Sequence, residues 1–397
     1  MVITSDNSAG CSGCTACKEV CPVGAINFIK DREGFNVPIV NENCIKCGRC
    51  AEMCPSENEG FIHKQINLQA YALKHKKEDV RYNSASGGFF PAVAHYVIED
   101  LKGYVCGCIL DSDIEVRHIL TNKYEIVRKM QGSKYVQSEM GDCFQKICDL
   151  LKRDKYVLFS GTSCQVTGLI SLLECKQISK DKLITIDFFC HGVPSPLIWK
   201  EFIRFYEKKK RCIVNNFEFR NKKYGWGNKR RGPSYLFTAY SDCIIDDSSF
   251  EVRLWGKIFG SDLCTRRYCH VCPYATVYKN SDFTMGDFWG IDKVIPKMDD
   301  KKGTSIVILH NEKSKDILNN ISDDINYVQV SIDDAVAGQK NAFVPSCINK
   351  NRNKFWESYF DNGFKVVVKQ YFEYCIINKL KYTVKKILFK LKIRNSF

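Results

Sequence analysis

Beyond Leu68 the apolar positions fall into short blocks whose spacing alternates between that of a buried strand and that of a helix. Phe89–Leu101 (FFPAVAHYVIEDL) has the helical period, Gly103–Leu110 reads as a strand, Glu139–Lys152 as a helix and Lys155–Phe159 (KYVLF) as a short buried strand. Cys164–Leu173 is helical again, Leu183–Phe189 is a strand and Ser195–Lys208 a helix. This order predicts an α/β domain with a mixed sheet. Nearer the start, AINFIKDREGFNVPIV predicts two short strands about a turn at Asp31–Gly34. The pattern divides the chain into a small module (1–62), a large domain (68–310) and an extension (311–397). The expected fold class is thus α+β for the module followed by mixed α/β.

The 22 cysteines among 397 residues change the picture most. A disulfide framework belongs to small exported chains. MVITSDNSAG has neither a basic n-region nor an apolar h-region, so reduced, metal-binding thiols in the cytoplasm are the expectation. No run approaches the ~18–20 apolar residues that span a bilayer. The net charge is +14, but Gly363–Phe397 holds nine positive side chains and one negative, so eight of those charges lie in the last segment. With the remainder only modestly basic and no binding motif present, nucleic acid is not an expected partner.

CSGCTACKEVCP places Cys11, Cys14, Cys17 and Cys21 before Pro22, and CIKCGRCAEMCP repeats the spacing with Cys44, Cys47, Cys50 and Cys54 before Pro55. C-x2-C-x2-C-x3-C-P is the run of two-cluster ferredoxins, whose fourth cysteine serves the other cube. Cys11, Cys14, Cys17 and Cys54 are therefore expected to hold one 4Fe-4S cluster, and Cys44, Cys47, Cys50 and Cys21 the second. A zinc ribbon uses four ligands in two separated pairs, not eight in this order.

In the large domain neither G-x-G-x-x-G nor a P-loop occurs. SASGGFF (Ser84–Phe90) and SGTSCQV (Ser160–Val166) place small residues before helices, where backbone N–H groups can cradle a phosphate or where the turn merely needs glycine. QGSKYVQS (Gln131–Ser138) contributes Lys134, placed against a negative group or solvated. Cys190 in FFCHGVP and Cys264, Cys269 and Cys272 in LCTRRYCHVCPY suggest a third 4Fe-4S cluster, with Cys164 a fifth candidate and zinc or buried free thiols the alternatives. The remaining cysteines, among them Cys106, Cys143, Cys212 and Cys243, lack ligand spacing.

SGGFF, GSKYVQS, GTSCQV, IDFFCHGVPSP, the C-x4-C-x2-CP run and TMGDFWGI, in this order, resemble the coenzyme F-420 (deazaflavin) hydrogenase/dehydrogenase beta-subunit family, including bacterial members with a fused ferredoxin module. The resemblance covers roughly residues 1–310. It implies an FAD-binding domain with an iron-sulfur cluster beside the flavin, exchanging hydride with a mobile cofactor. By position it makes Ser86, Gly87, Gly88, Lys134, Gly161 and Thr162 candidate flavin contacts, and Cys190, Cys264, Cys269 and Cys272 candidate cluster ligands. Flavin is the usual converter between two-electron donors and one-electron clusters. No catalytic acid or base is required, although His191 and Asp187 stand near Cys190 and are candidates for tuning the site.

The stretch FRNKKYGWGNKRRG (Phe219–Gly232) mixes Arg220, Lys222, Lys223, Lys229, Arg230 and Arg231 with Tyr224 and Trp226, which suits an anionic ring-bearing ligand or a solvated loop. From Phe364 to Ile393, Val366, Phe372, Ile376, Leu380, Val384, Leu388 and Leu391 alternate with lysines at nearly helical spacing. That segment fits an anionic membrane surface, a partner, or its own domain. The expected partners are an electron-donor or acceptor protein such as ferredoxin or a reductase subunit, and a small redox substrate. The function classes left open are a flavin-dependent oxidoreductase and a non-catalytic electron relay.

Overall fold

The computed structural model describes residues 10–57, 67–223, 225–226 and 236–374 together with positions 378, 380 and 384. In the amino-terminal module β1 (Ile26–Lys30) and β2 (Asn36–Val40) form an antiparallel hairpin. Its turn is the predicted one: the Asp31 carboxylate accepts from the N–H groups of Glu33 and Phe35, and Gly34 takes φ 83°. The two cysteine runs keep their repeat at the level of backbone geometry. Gly13 and Thr15 have φ of 75° and 69°, and the equivalent Lys46 and Gly48 have 55° and 79°. These left-handed residues turn successive thiols to one side, and in both copies the N–H two residues on donates to the first cysteine's sulfur, Gly13 to Cys11 (3.3 Å) and Lys46 to Cys44 (3.4 Å).

The large domain is built on an eight-stranded sheet. Its strands are β3 (Gln69–His75), β4 (Tyr104–Leu110), β5 (Val116–Thr121), β6 (Val157–Ser160), β7 (Leu183–Phe188), β11 (Phe283–Asp287), β12 (Ser305–Leu309) and β13 (Ile325–Val330), in the order β13-β3-β12-β11-β7-β6-β4-β5. The four central strands β11, β7, β6 and β4 are parallel, and antiparallel pairs extend the sheet on both sides. β6 and β12 are almost wholly buried and carry the continuous apolar runs expected of strands covered on both faces. β8 (Val214–Asn221), β9 (Leu236–Ser241) and β10 (Ile245–Asp246) form a separate three-stranded sheet packed on the helices Pro196–Lys210 and Phe250–Gly260.

The sheet continues past residue 310, because β13 pairs with β3 along its length; the segment from 311 therefore begins inside the large domain. Helices Arg352–Asn362 and Phe364–Tyr371 follow. Phe364, Val367, Val368 and Phe372 are buried in one core with Trp199, Phe202 and Trp255, whereas Val366, Leu380 and Val384 are exposed. Of the stripe from Val366, Phe372 packs in this core whereas Val366, Leu380 and Val384 do not, and most of 375–397 lies outside the described residues. Among the described residues no helix is long and apolar enough to cross a membrane.

The module is not a tethered appendage. Cys14, Ala16, Cys17, Val20, Ile26 and Met53 share one apolar core with Phe144, Ile147, Val166, Leu169 and Leu173 of the large domain. Gly168 on helix Ser163–Cys175 permits the approach, since a Cβ there would stand 2.9 Å from Cys14 Sγ. At the polar rim Arg266, 2% exposed, donates to Cys11 O (2.7 Å), Asn36 O (2.8 Å) and Gln137 Oε1 (2.9 Å). Glu33 is held by Arg352, with Nη1 at 2.8 Å from Oε1.

Candidate redox site

The carboxyl ends of β4, β6, β7 and β11 converge, and there the chain leaves a cavity of about 420 Å³. This is where open parallel sheets bind ligands. Its wall includes Ser84–Ser86, Gly88, Lys134, Ser160–Gln165, Phe188–Val193, Asp287 and Trp289.

The predicted flavin contacts divide on inspection of the wall. Ser86, Gly88, Lys134, Gly161 and Thr162 line the cavity. Gly87 does not: it is wedged between β3 and β12, where a Cβ would meet Leu73 O at 2.2 Å and Ser305 N at 2.6 Å. Its N–H donates to Ser305 Oγ (2.8 Å), so packing alone accounts for that glycine. Thr162 N–H is capped by Gln165 Oε1 at 2.9 Å, which commits the N–H that sequence reasoning offered to a phosphate. Lys134 donates to the carbonyls of Lys129 (2.8 Å) and Gln131 (2.9 Å), and burial pulls its ammonium down to about 8.

Three cysteine groups emerge. Cys14 and Cys17 each lie among the thiols of Cys11 and Cys54; burial first, then Cys54, Cys11 and Cys164, push Cys14 up to about 12. Cys21, Cys44, Cys47 and Cys50 surround a second, small hollow. The groups adjoin, since Cys50 is among the neighbours that raise Cys17.

The third group differs from expectation in one cysteine. Cys190, Cys269 and Cys272 line the large cavity with Cys164, and burial followed by the Cys164 thiol pushes Cys190 up to about 12 and Cys272 to about 11. Cys269 is raised by burial and then by Cys190 and Cys164. Cys264 lines no part of the cavity. The bridge between Pro194 and Thr265 turns it into the apolar core that holds Trp255 and Phe355, where burial pushes it up to about 12 among Arg352, Asp262 and Glu33. Cys190 Sγ accepts from the N–H of Gly192 (3.3 Å), the same two-residue pattern seen at Cys11 and Cys44.

Around this group His191 Nε2 lies 3.0 Å from Asp262 Oδ1, and Asp187 is buried, its Oδ1 accepting from Thr284 Oγ1 at 2.5 Å. His118, stacked on Phe159, places Nε2 3.1 Å from Ser160 O, while its buried Nδ1 has no partner; burial lowers this imidazole to about 4. Sequence reasoning missed His118, which alternation along β5 points inward with Val116. Of the basic loop, Arg220 pairs with Asp287 (2.6 Å), Lys223 with Asp247 (2.7 Å), and Lys222 donates to Ser86 O (2.5 Å) and Arg81 O (2.7 Å). Trp226 stacks on Trp289 at 5.0 Å. Tyr224, Lys229, Arg230 and Arg231 lie outside the described residues.

Comparison with known proteins agrees with these two parts. Residues 154–334 match the family model for the carboxyl-terminal part of the beta subunit of coenzyme F420 hydrogenase/dehydrogenase, and residues 10–58 match that of a 4Fe-4S dicluster domain. Uncharacterized protein MJ1349 of Methanocaldococcus jannaschii is 26% identical over 191 residues, 41% of this chain and 52% of the relative. The chain thus spans about half the length of the curated relative it matches. A chain of the xenon-derivatised F420-reducing [NiFe] hydrogenase complex from Methanosarcina barkeri is similar with a TM-score of 0.46 at 14% identity, over 76% of this chain and 95% of that one.

Proposed function

We propose, from the premise that this chain joins a 4Fe-4S dicluster domain to a domain of the coenzyme F420 hydrogenase/dehydrogenase beta-subunit family, that it is an iron-sulfur flavoprotein coupling hydride exchange with a small molecule to single-electron transfer. The coarser statement, iron-sulfur electron transfer of the oxidoreductase type, follows from the premise itself. The observation that carries the finer one is the approach of Cys14 to the helix that begins with Ser163 and Cys164, where a Cβ on Gly168, one turn past Cys164, would stand 2.9 Å from Cys14 Sγ. It makes the cysteine groups one line, from exposed Cys47 through Cys50 and Cys17 to the wall of the large cavity.

Cys164, Cys190, Cys269 and Cys272 fit a third 4Fe-4S cluster. Cys190, Cys269 and Cys272 are each raised by burial and by the neighbouring Cys164 thiol, which makes bare thiolates costly there, and a cationic iron-sulfur core relieves that cost. A single zinc would draw its thiolates to about 3.8 Å of each other. Among the described residues only Cys212, Asp242 and Cys243 bring three such ligand atoms within 4.8 Å, so the groups here suit the wider cube better. When present, the clusters supply one-electron carriage.

The cavity fits a flavin. Its volume lies in the range of ligand pockets, its wall offers Phe189, Tyr135 and Trp289 beside small-residue loops, and the unpartnered Nδ1 of His118 is an acceptor awaiting a donor. A bound flavin would supply the two-electron to one-electron conversion. The protein's part is to position and to exclude water: Lys222 fixes the Ser84–Ser86 turn through Ser86 O, Arg220 and Trp226 hold Asp287 on the rim, and Lys134 tethers the 129–134 loop. The substrate, a deazaflavin or another small redox molecule, then enters beside Trp289. A donor or acceptor protein docks where Cys47 is exposed.

Iron, acid-labile sulfide and flavin measured on one anaerobically purified sample test this reading. About twelve irons and one FAD per chain are expected. About eight irons without flavin would replace the reading with a two-cluster relay.

A further inference from the structure

Behind the third cysteine group lies a polar cluster that no ligand-positioning role accounts for. Lys279 is 2% exposed, an unusual site for an ammonium. Its Nζ donates to Ser163 Oγ at 3.2 Å and to the carbonyl of Tyr274. Ser163 adjoins Cys164 and Tyr274 stands two residues past Cys272, so the ammonium is clamped between two segments that carry the proposed ligands. It favours the thiolate forms of both Cys190 and Cys272.

A counter-charge is present. Burial pushes the Asp187 carboxyl on β7 up, while Lys279, Ser163, Thr284 and Ser281 favour its charged form. Thr284 Oγ1 also lies 2.8 Å from Nε2 of His310, which burial and Lys279 hold neutral by lowering it to about 3. On the opposite side Arg266 favours the thiolate of Cys164. Arg266 serves the nearer ferredoxin group as well, its Nε donating to Cys11 O at 2.7 Å, so it does not set the two centres apart.

Reduction adds a negative charge to a cluster, and a buried cation beside it favours the reduced form, strongly because water does not screen the pair. We propose that Lys279 is a potential-setting cation which raises the third centre above both ferredoxin centres, so that an electron entering the chain comes to rest beside the cavity. This inference rests on the reading of Cys164, Cys190, Cys269 and Cys272 as a cluster site. Lys279 acts here as a positioning charge; it need touch neither flavin nor substrate.

The test is an anaerobic, EPR-monitored redox titration of the full-length holoprotein, unmodified and as Lys279→Met and Lys279→Arg. In the unmodified protein the third centre is expected to have the highest midpoint. Lys279→Met should make its reduction equilibrium at least tenfold less favourable, a fall of about 59 mV for a one-electron couple, while Lys279→Arg stays near the original and the other two centres do not move. A third centre lying below the ferredoxin pair in the unmodified protein overturns the inference without recourse to any variant. So does a Lys279→Met midpoint that is unchanged, or one that shifts together with the other two. Finding only two centres would remove the cluster reading itself and this inference with it, an outcome distinct from three centres in the wrong order.

Discussion

The guanidinium of Arg266 donates from Nε to the main-chain oxygen of Cys11 across 2.7 Å, joining the ferredoxin module to the segment that carries Cys269. The same side chain reaches Asn36 O and Gln137 Oε1, and Gln137 in turn donates to Ser12 O at 3.1 Å. The module's position against the large domain is therefore set by charged and polar groups as well as by apolar packing.

Replacing Arg266 by alanine would leave those buried acceptors unpaired, at about 1–3 kcal/mol each. Arg266→Ala is expected to lose at least about 3 kcal/mol of stability, measured by denaturant unfolding of the anaerobic holoprotein. A variant as stable as the parent would show that the clamp contributes nothing.

The ligand exchange at the third group separates Cys164, on the cavity wall, from Cys264, in the apolar core. Cys164→Ser should lower the iron content by about four per chain and abolish one EPR signal. Cys264→Ser should keep the full iron content, since that thiol faces core side chains; the two results reversed would restore the linear spacing as the better guide.

Gly168 stands where a side chain cannot without moving Cys14. Gly168→Val is expected to cost about 1–3 kcal/mol through overpacking and to slow electron transfer between the module and the cavity. Stopped-flow reduction of the flavin from the ferredoxin side reads that rate; an unchanged rate would mean the two halves tolerate a looser fit.

Buried His75, His118 and His310 shape the acid limb of stability, the last two most strongly. In the unfolded chain these imidazoles titrate near 6.5, whereas folded His118 is lowered to about 4 and His310 to about 3, each chiefly by burial. Below 6.5 the unfolded chain binds protons that the folded chain refuses, so stability falls between pH 6.5 and about 4, by about 1.4 kcal/mol per pH unit for each of His118 and His310, and is level above it. Unfolding free energies at pH 7, 6 and 5 should show that slope, and His310→Gln should reduce it by one group's share.

The parts of the molecule that can be read from the sequence are those whose geometry is local. The eight cysteines of residues 11–54 and the hairpin between them are set by spacing and by one turn at Asp31–Gly34, so the pattern is complete within a few dozen residues. The elements read from periodicity between Phe89 and Lys208 likewise end within a few residues of their observed bounds, whereas strand β5 and the helix Tyr124–Met130 between them escape that reading. What spacing does not convey is sheet order. Cys164 reaches Cys190 because β6 and β7 are parallel neighbours, and β13 returns to pair with β3 across some 250 residues. Gly87 misleads because a glycine wedged between two strands has the same one-letter signature as a glycine that admits a phosphate.

That contrast between local and distant ligands also gives the protein a history. The two outer centres draw all eight of their thiols from residues 11–54, which the ribosome delivers first. The four thiols at the cavity come from the end of β6, the end of β7 and the 269–272 loop, and meet only when the sheet has closed. Maturation on the proposed reading is then ordered from the amino terminus inward, and a chain interrupted midway would already carry charge-storing centres with nowhere yet to deliver their electrons.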